Sequence, residues 1–251
     1  MSQPRLRLIL DCARSAVFNM AVDEVLMEAE SDSDRQGTLR FYDWQTPSIT
    51  IGYFQSVERV RRRFDCDASG AEVVRRPTGG GVVFHGKDLT FSLCLKNPNP
   101  LLPTEPKESY RSVNQIVGRA LAELLPGTSL QTLETLPSGR AQLERVCFVS
   151  PSACDLMQGD RKIVGAAQRR RSGALLHQSS IDLDFDRGHM IRLIVAGFCK
   201  YWNVEFEQAP LSRPELAAAQ ALVETKYSKN DYSWHPAGKP IAAESAKMVE
   251  S

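Results

Sequence analysis

The chain has 251 residues, a formal net charge of +1, 42% hydrophobic residues and 24% charged residues. These are ordinary values for a globular domain, and near-neutrality removes any bulk attraction to nucleic acid or to an anionic membrane surface. No apolar run reaches the roughly 18 residues of a transmembrane helix. The N-terminal "MSQPRLRLILDCARS" lacks the apolar stretch and cleavage site of a secretory signal. A cytoplasmic protein without a membrane partner is expected.

In chain order, "SAVFNMAVDEVLMEAE" (15–30) predicts an amphipathic helix, with Phe18, Val22 and Leu26 recurring every four residues. Strand-like pieces follow at 39–42, 48–52 and 72–76. The clearest strand is "LTFSLCL" (89–95), where Leu89, Phe91, Leu93 and Leu95 alternate with polar or small residues. "KNPNPLLPTEPKE" (96–108), with four prolines, is a crossing loop before a helix over 109–125. A turn-rich stretch runs to about 140.

Short strands are expected at 154–157 and 162–165, joined by a "QGD" hairpin turn, and a long strand over 174–186. In that last strand Asp182, Asp184 and Asp186 fall on one face. Such a face is ordinarily the wet one, and no metal site is expected there. Helices over 189–202 and 212–227 close the pattern, the second opening with a Ser212–Glu215 capping box and Pro214 in its first turn. Residues 231–251 carry no pattern and are expected to form a flexible tail after a single domain spanning 8–230. Hairpin-like strand spacing predicts an α/β (α+β) fold with a mixed, largely antiparallel sheet flanked by helices.

Six scattered cysteines without a Cys-x-x-Cys pair argue against a disulfide framework and a structural zinc site. Two basic runs, 59–64 and 168–172, read either as solvated element ends or as docking charges for an acidic partner. Neither run has interleaved aromatics, so nucleic acid is not an expected partner.

The densest signal is "VVRRPTGGGVVFHGKDLTFSLCL" (73–95). Gly81 to Asp88 nearly satisfies a phosphate-binding loop, but Asp88 stands where that loop has Ser or Thr. The segment also leads into a strand instead of a helix. The alternative is a strand–glycine turn–strand unit, with Gly79, Gly80 and Gly81 exposing main chain to a carboxylate or acyl carbonyl. Arg75, Arg76 and His85 lie nearby, and spacing alone does not say which of them faces the ligand. Further on, Lys162 heads a strand ending in Gly165, Ala166 and Ala167, small enough to let a long ligand pass while the lysine polarises a carbonyl.

"RRPTGGGVVFH", "KIVGAAQRR" and "LLHQSSIDLD", with "FNMAVDEVL" and "LRFYDWQTPSITIGYFQ", resemble in order and separation the lipoate-protein ligase and octanoyltransferase family over residues 8 to 230. The resemblance implies a catalytic domain of the biotin/lipoate protein ligase type that attaches an octanoyl or lipoyl group to one lysine of a lipoyl domain. Its motif positions fall on Arg76, Gly79, Gly80, Gly81, His85, Lys162, Gly165, Ala166 and Gln168, lining an acyl tunnel. Gly86 departs from the family, which usually has Asp there.

Two chemistries share this family. Ligases activate lipoate with ATP and Mg²⁺. Cysteine-type octanoyltransferases take octanoate from acyl carrier protein, hold it as a thioester and need no nucleotide. "VCFVSPSACDL" (146–156) resembles the transferases' nucleophile loop, with Cys147 at the matching position and Cys154 ranked second. The resemblance therefore favours a transferase with Cys147 and Lys162 as catalytic residues and acyl carrier protein as donor. The lipoyl domains of glycine cleavage H protein or a 2-oxoacid dehydrogenase E2 are the expected acceptors. An ATP-dependent ligase is the alternative, and a non-catalytic carrier- or RNA-binding module is the remoter one.

Overall fold

A strand missed by periodicity begins the chain: Leu6 and Leu8 point into the core while Arg7 between them is buried against Glu215 at 2.5 Å. The computed structural model describes residues 3–31, 35–125, 131–132, 154–171 and 173–236. Its elements run β1 (Arg5–Arg14), α1 (Ala16–Glu30), β2 (Gly37–Trp44), β3 (Ser48–Ile51), α2 (Val57–Arg63), α3 (Cys66–Ser69), β4 (Glu72–Arg75), β5 (Val83–His85) and β6 (Leu89–Asn97). They continue through α4 (Pro106–Ala122), β7 (Gln131–Thr132), β8 (Leu156–Gln158), β9 (Arg161–Arg171), β10 (Gly173–Ile181), α5 (Arg187–Trp202), β11 (Glu205–Gln208), α6 (Arg213–Leu222) and β12 (Ser233–Trp234).

Eight strands form one mixed sheet in the order β11-β1-β2-β6-β10-β9-β8-β7. Within this sheet, among the described residues, only the β11–β1 and β1–β2 pairs are parallel. Four strands form a second sheet, β12-β4-β3-β5. The apolar face of α4 (Val113, Val117, Leu121) and that of α5 (Ile194, Phe198) cover one face of the large sheet, meeting Phe91, Leu93 and Leu175. The opposite face meets α1, and behind it α6, through Leu176, Cys94, Val22 and Ala219.

Helix α1 is less amphipathic than its sequence suggests, because it lies between the sheet and α6 and is buried nearly all round. Two of its buried acids are ion-paired, Asp23 with Arg40 at 2.8 Å and Glu24 with Lys226 at 2.6 Å and with the Tyr227 hydroxyl at 2.6 Å, and the third, Glu30, accepts from the Thr38 hydroxyl at 2.6 Å. Buried charges are tolerated only when matched in this way.

Four expectations are corrected. The strand at Lys162 does not stop at Gly165 but continues to Arg171 along β10. The following strand ends at Ile181, not at Asp186: Asp182 pairs with Arg161 at 2.9 Å, and Asp186 caps α5 by accepting from His189 N. The three aspartates therefore share no strand face. Residues 231–236, assigned above to a tail, are held in place: β12 pairs with β4, and the Arg75 guanidinium donates to the Asp231 carbonyl at 2.8 Å. The arginines of the second basic run are tied to the fold, Arg169 to the Pro77 carbonyl, Arg170 to Ser109, and Arg171 to Glu28.

His177, on the α4 side of β10, gives a pH prediction. Burial lowers its pKa to about 3, below the ordinary 6.5, so the folded protein holds it neutral. Unfolding takes up a proton between these two values. The stability this contributes is full above pH 6.5 and is lost as pH falls toward 3. Chemical denaturation at about pH 7 and about pH 5 is expected to show wild type losing about 2 kcal/mol more than His177→Phe between these conditions. Parallel losses in the two proteins would assign the slope to other groups.

Candidate active site

Cross-strand register on the α1 side of the large sheet lines up Tyr42, Thr90, Ser180 and Gly165, one from each of β2, β6, β10 and β9. Three strand spacings of about 4.8 Å make this row roughly 14 Å long. Over it, between α1 and the small sheet, lies a cavity of about 410 Å³ including its opening to solvent. Gly165, Ala166 and Ala167 form its small-residue wall, and Trp44, Val83 and Met20 face it.

Lys162 comes up beside Gly165, at the edge of this cavity, through a fault in strand pairing. Leu156 pairs with Val164 but Met157 pairs with Lys162, so β9 carries one extra residue, Ile163. Such a bulge shifts the side-chain alternation by one and re-aims what precedes it. Lys162 thereby shares the face of Gly165: a Cβ at Gly165 would meet Lys162 Cε at 2.8 Å and Nζ at 3.0 Å. The lysine needs that glycine. Its ammonium is 2.7 Å from Asp155 Oδ2, both side chains being almost wholly buried.

His85 lies beneath Trp44, ring centroids 4.0 Å apart and nearly parallel. Its Nδ1 lies 2.8 Å from Asp88 Oδ2 and its Nε2 lies 2.7 Å from Thr50 Oγ1. Asp88 also accepts from Thr90 at 2.8 Å, Ser180 at 2.6 Å and Gly86 N at 3.1 Å. Burial opposes its ionisation, but attraction to His85 and hydrogen bonds from His85, Ser180 and Thr90 prevail and hold its carboxyl well below the usual range. The residue that spoils the phosphate-loop pattern is thus the one that orients His85. It supplies a carboxylate two positions beyond Gly86.

The glycine loop does not line the cavity. Arg76, which does, donates to the Gly79 carbonyl at 3.0 Å, the Gly81 carbonyl at 2.9 Å and Thr50 Oγ1 at 2.6 Å, so the loop holds the arginine. Gly80 has a left-handed φ of 95°. Sequence reasoning passed over the residue that seats this loop, Gly52, although it stood in a quoted motif. A Cβ there would fall 2.0 Å from the Gly80 carbonyl oxygen. Gly52→Ala is expected to displace the loop, lower stability by roughly 1–3 kcal/mol or more and depress turnover with it. Unchanged melting and activity would show the contact to be slack.

Behind the cavity, Asp23 accepts from Arg40, Ser92, Tyr42 and Gln178, at 2.7 to 3.0 Å. Burial and the Asp23 charge push the Tyr42 hydroxyl well above its ordinary pKa, so it stays a donor. Gln178 in turn accepts from Thr78 at 2.7 Å. Nothing in the strand pattern singled these residues out, because each is a polar residue at a buried position and gains meaning only from its partners.

Of the expected site residues, Arg76, His85, Gly165 and Ala166 line the cavity and Lys162 abuts it. Gln168 does not. It faces α4, where its side chain accepts from Ser109 at 2.7 Å and contacts His177 Nδ1 at 3.0 Å. Cys147 lies outside the described residues. Cys154 is buried, with its Sγ 3.7 Å from the Lys107 carbonyl, and burial pushes its thiol pKa up, opposite to what a nucleophile needs.

Residues 15–203 match the lipoyl protein ligase A/B catalytic domain family. The octanoyltransferase LipM of Symbiobacterium thermophilum is 38% identical over 90% of this chain and 97% of its own length. The Bacillus cereus octanoyltransferase LipM is 29% identical over 88% of this chain and 94% of its own. Among solved structures, a bi-partite lipoate protein ligase from Thermoplasma acidophilum, studied with its E2 lipoyl domain, superposes with a TM-score of 0.69 at 21% identity. That match covers 90% of this chain and 94% of that one.

Proposed function

The chain belongs to the lipoyl protein ligase A/B catalytic domain family, and we infer that it is an octanoyltransferase of protein lipoylation working through a thioester on Cys147. The observation that carries this is a cavity walled by glycine and alanine with a buried, paired lysine at one end. Near-full-length relatives named octanoyltransferase support it.

The donor is octanoyl-acyl carrier protein. Its octanoyl tail enters the cavity along Gly165–Ala167, and its thioester carbonyl lies beside the Lys162 ammonium. Charge that builds on the carbonyl oxygen during attack is met by that ammonium, held in place by Asp155. The Cys147 sulfur attacks the carbonyl carbon, a new carbon–sulfur bond forms, the bond to the carrier breaks, and the carrier thiol leaves with the proton that Cys147 gives up. In the second half, the amine of the lipoyl-domain lysine attacks the same carbonyl. A carbon–nitrogen bond forms, the bond to Cys147 breaks, and the amine proton returns to the cysteine sulfur. Arg76, held by the glycine loop, and His85 line the cavity and do not react. No nucleotide takes part.

The test is the intact mass of an apo lipoyl domain incubated with the protein, either with octanoyl-acyl carrier protein alone or with octanoate or lipoate plus ATP and Mg²⁺. Modification in the first mixture only is expected. Modification in the second only would make the protein a ligase.

A further inference from the structure

The cavity has an end wall as well as an entrance, and the geometry points to Met20 as the residue that limits acyl-chain length. The inference rests on the acyltransferase reading, which places the carbonyl beside Lys162 at Gly165.

From Gly165 the small-residue wall runs to Ala167, two residues along β9 and roughly 6.6 Å away. Ala167 pairs with Gln178 on β10 as Gly165 pairs with Ser180. Met20 stands at the Gln178 end: its sulfur lies 3.5 Å from the Gln178 Nε2, and it is a buried cavity-lining residue contributed by α1. Met20 is therefore separated from Lys162 by the length of the alanine wall. An extended eight-carbon chain measures roughly 9 Å from the C–C bond length, so its terminal methyl comes up against the thioether.

What lies behind Met20 cannot retreat. One turn along α1, Asp23 ties together Arg40, Ser92, Tyr42 and Gln178, and Arg40 is wholly buried and also bound to Asp11 at 2.7 Å. A locked polar network of this kind rejects an additional methylene, because inserting it would leave buried charges without partners. Methionine, unbranched and polarizable, is the adaptable member of the wall. Chain length is therefore set by how far one side chain projects from a fixed backing, and the preferred occupant is a straight, saturated chain of about eight carbons.

Two readouts test this. Titration calorimetry of hexanoate, octanoate, decanoate and dodecanoate measures the cavity itself, and transfer from the four matching acyl carrier thioesters measures the reaction. Met20→Ala is expected to raise decanoate binding relative to octanoate at least about tenfold over wild type, within the range that one or two methylenes command in an apolar pocket. Met20→Phe is expected to shift preference below eight carbons. Leu26→Ala, a buried α1 residue that does not line the cavity, should lower stability and leave the chain-length profile unchanged. The same profile in wild type and Met20→Ala, or an equal shift in Leu26→Ala, would overturn the assignment. A Met20-dependent binding profile with no transfer from any thioester would uphold it and overturn the acyltransferase reading instead.

Discussion

Replacing Cys147 with alanine is expected to reduce octanoyl transfer by about 10⁴-fold or more, because a nucleophile's loss removes the covalent route itself and not merely a share of its stabilisation. Cys154→Ala should leave most of the activity. Its thiol is buried, its pKa is raised by that burial, and its carbonyl is occupied by Asn114 Nδ2 at 2.5 Å. The remaining described cysteines do not line the cavity. Measured turnover from octanoyl-acyl carrier protein, with ATP absent, separates the two variants. Equal activity in Cys147→Ala and wild type would remove the thioester from the mechanism.

The second large effect concerns Lys162. Lys162→Met should lower kcat by about 10²–10³-fold, the amount lost when one donor to a developing oxyanion is removed. KM should change far less, since the acyl tail is held by the Gly165–Ala167 wall. The same substitution strips Asp155 of its ammonium partner inside the protein, which costs about 3–5 kcal/mol of stability. The two consequences can be told apart. Adding Asp155→Leu to Lys162→Met removes the stranded carboxylate and should restore much of the melting temperature without restoring turnover. Recovery of activity in the double variant would show that Lys162 serves only to pair Asp155.

Much of the architecture was legible because its signals are local. The alternation Leu89, Phe91, Leu93, Leu95 became the centre of the sheet, and the Ser212–Glu215 box caps α6 through both of its hydrogen bonds. β1 was missed because Ile9, buried between Leu8 and Leu10, breaks the alternation that Arg5 to Leu8 begins, and because the burial of Arg7 is made tolerable only by the distant Glu215. The tail was drawn too long for a similar reason: β12 is two residues and exists only by pairing with β4. Within the site, Arg76, His85, Gly165 and Lys162 could be picked out because motif and chemistry coincide on them. Asp88 entered only as the residue that breaks the phosphate-loop pattern, although His85 stands three residues away; Asp155, Asp23, Gln178 and Gly52 could not be picked out, since each acts through a partner on another element or through a Cβ that is not there. The Ile163 bulge that aims Lys162 leaves no trace in residue type at all.

A covalent octanoyl-cysteine is the intermediate on which transfer depends. It is tested most directly by incubating the protein with octanoyl-acyl carrier protein in the absence of any lipoyl domain, digesting at low pH and mapping the modified peptide by mass spectrometry. A single octanoyl thioester is expected on the peptide containing Cys147, released by hydroxylamine and discharged when apo lipoyl domain is added. An octanoyl group on the Cys154 peptide, an amide on Lys162, or an unmodified protein that still transfers octanoate to the lipoyl domain would contradict it.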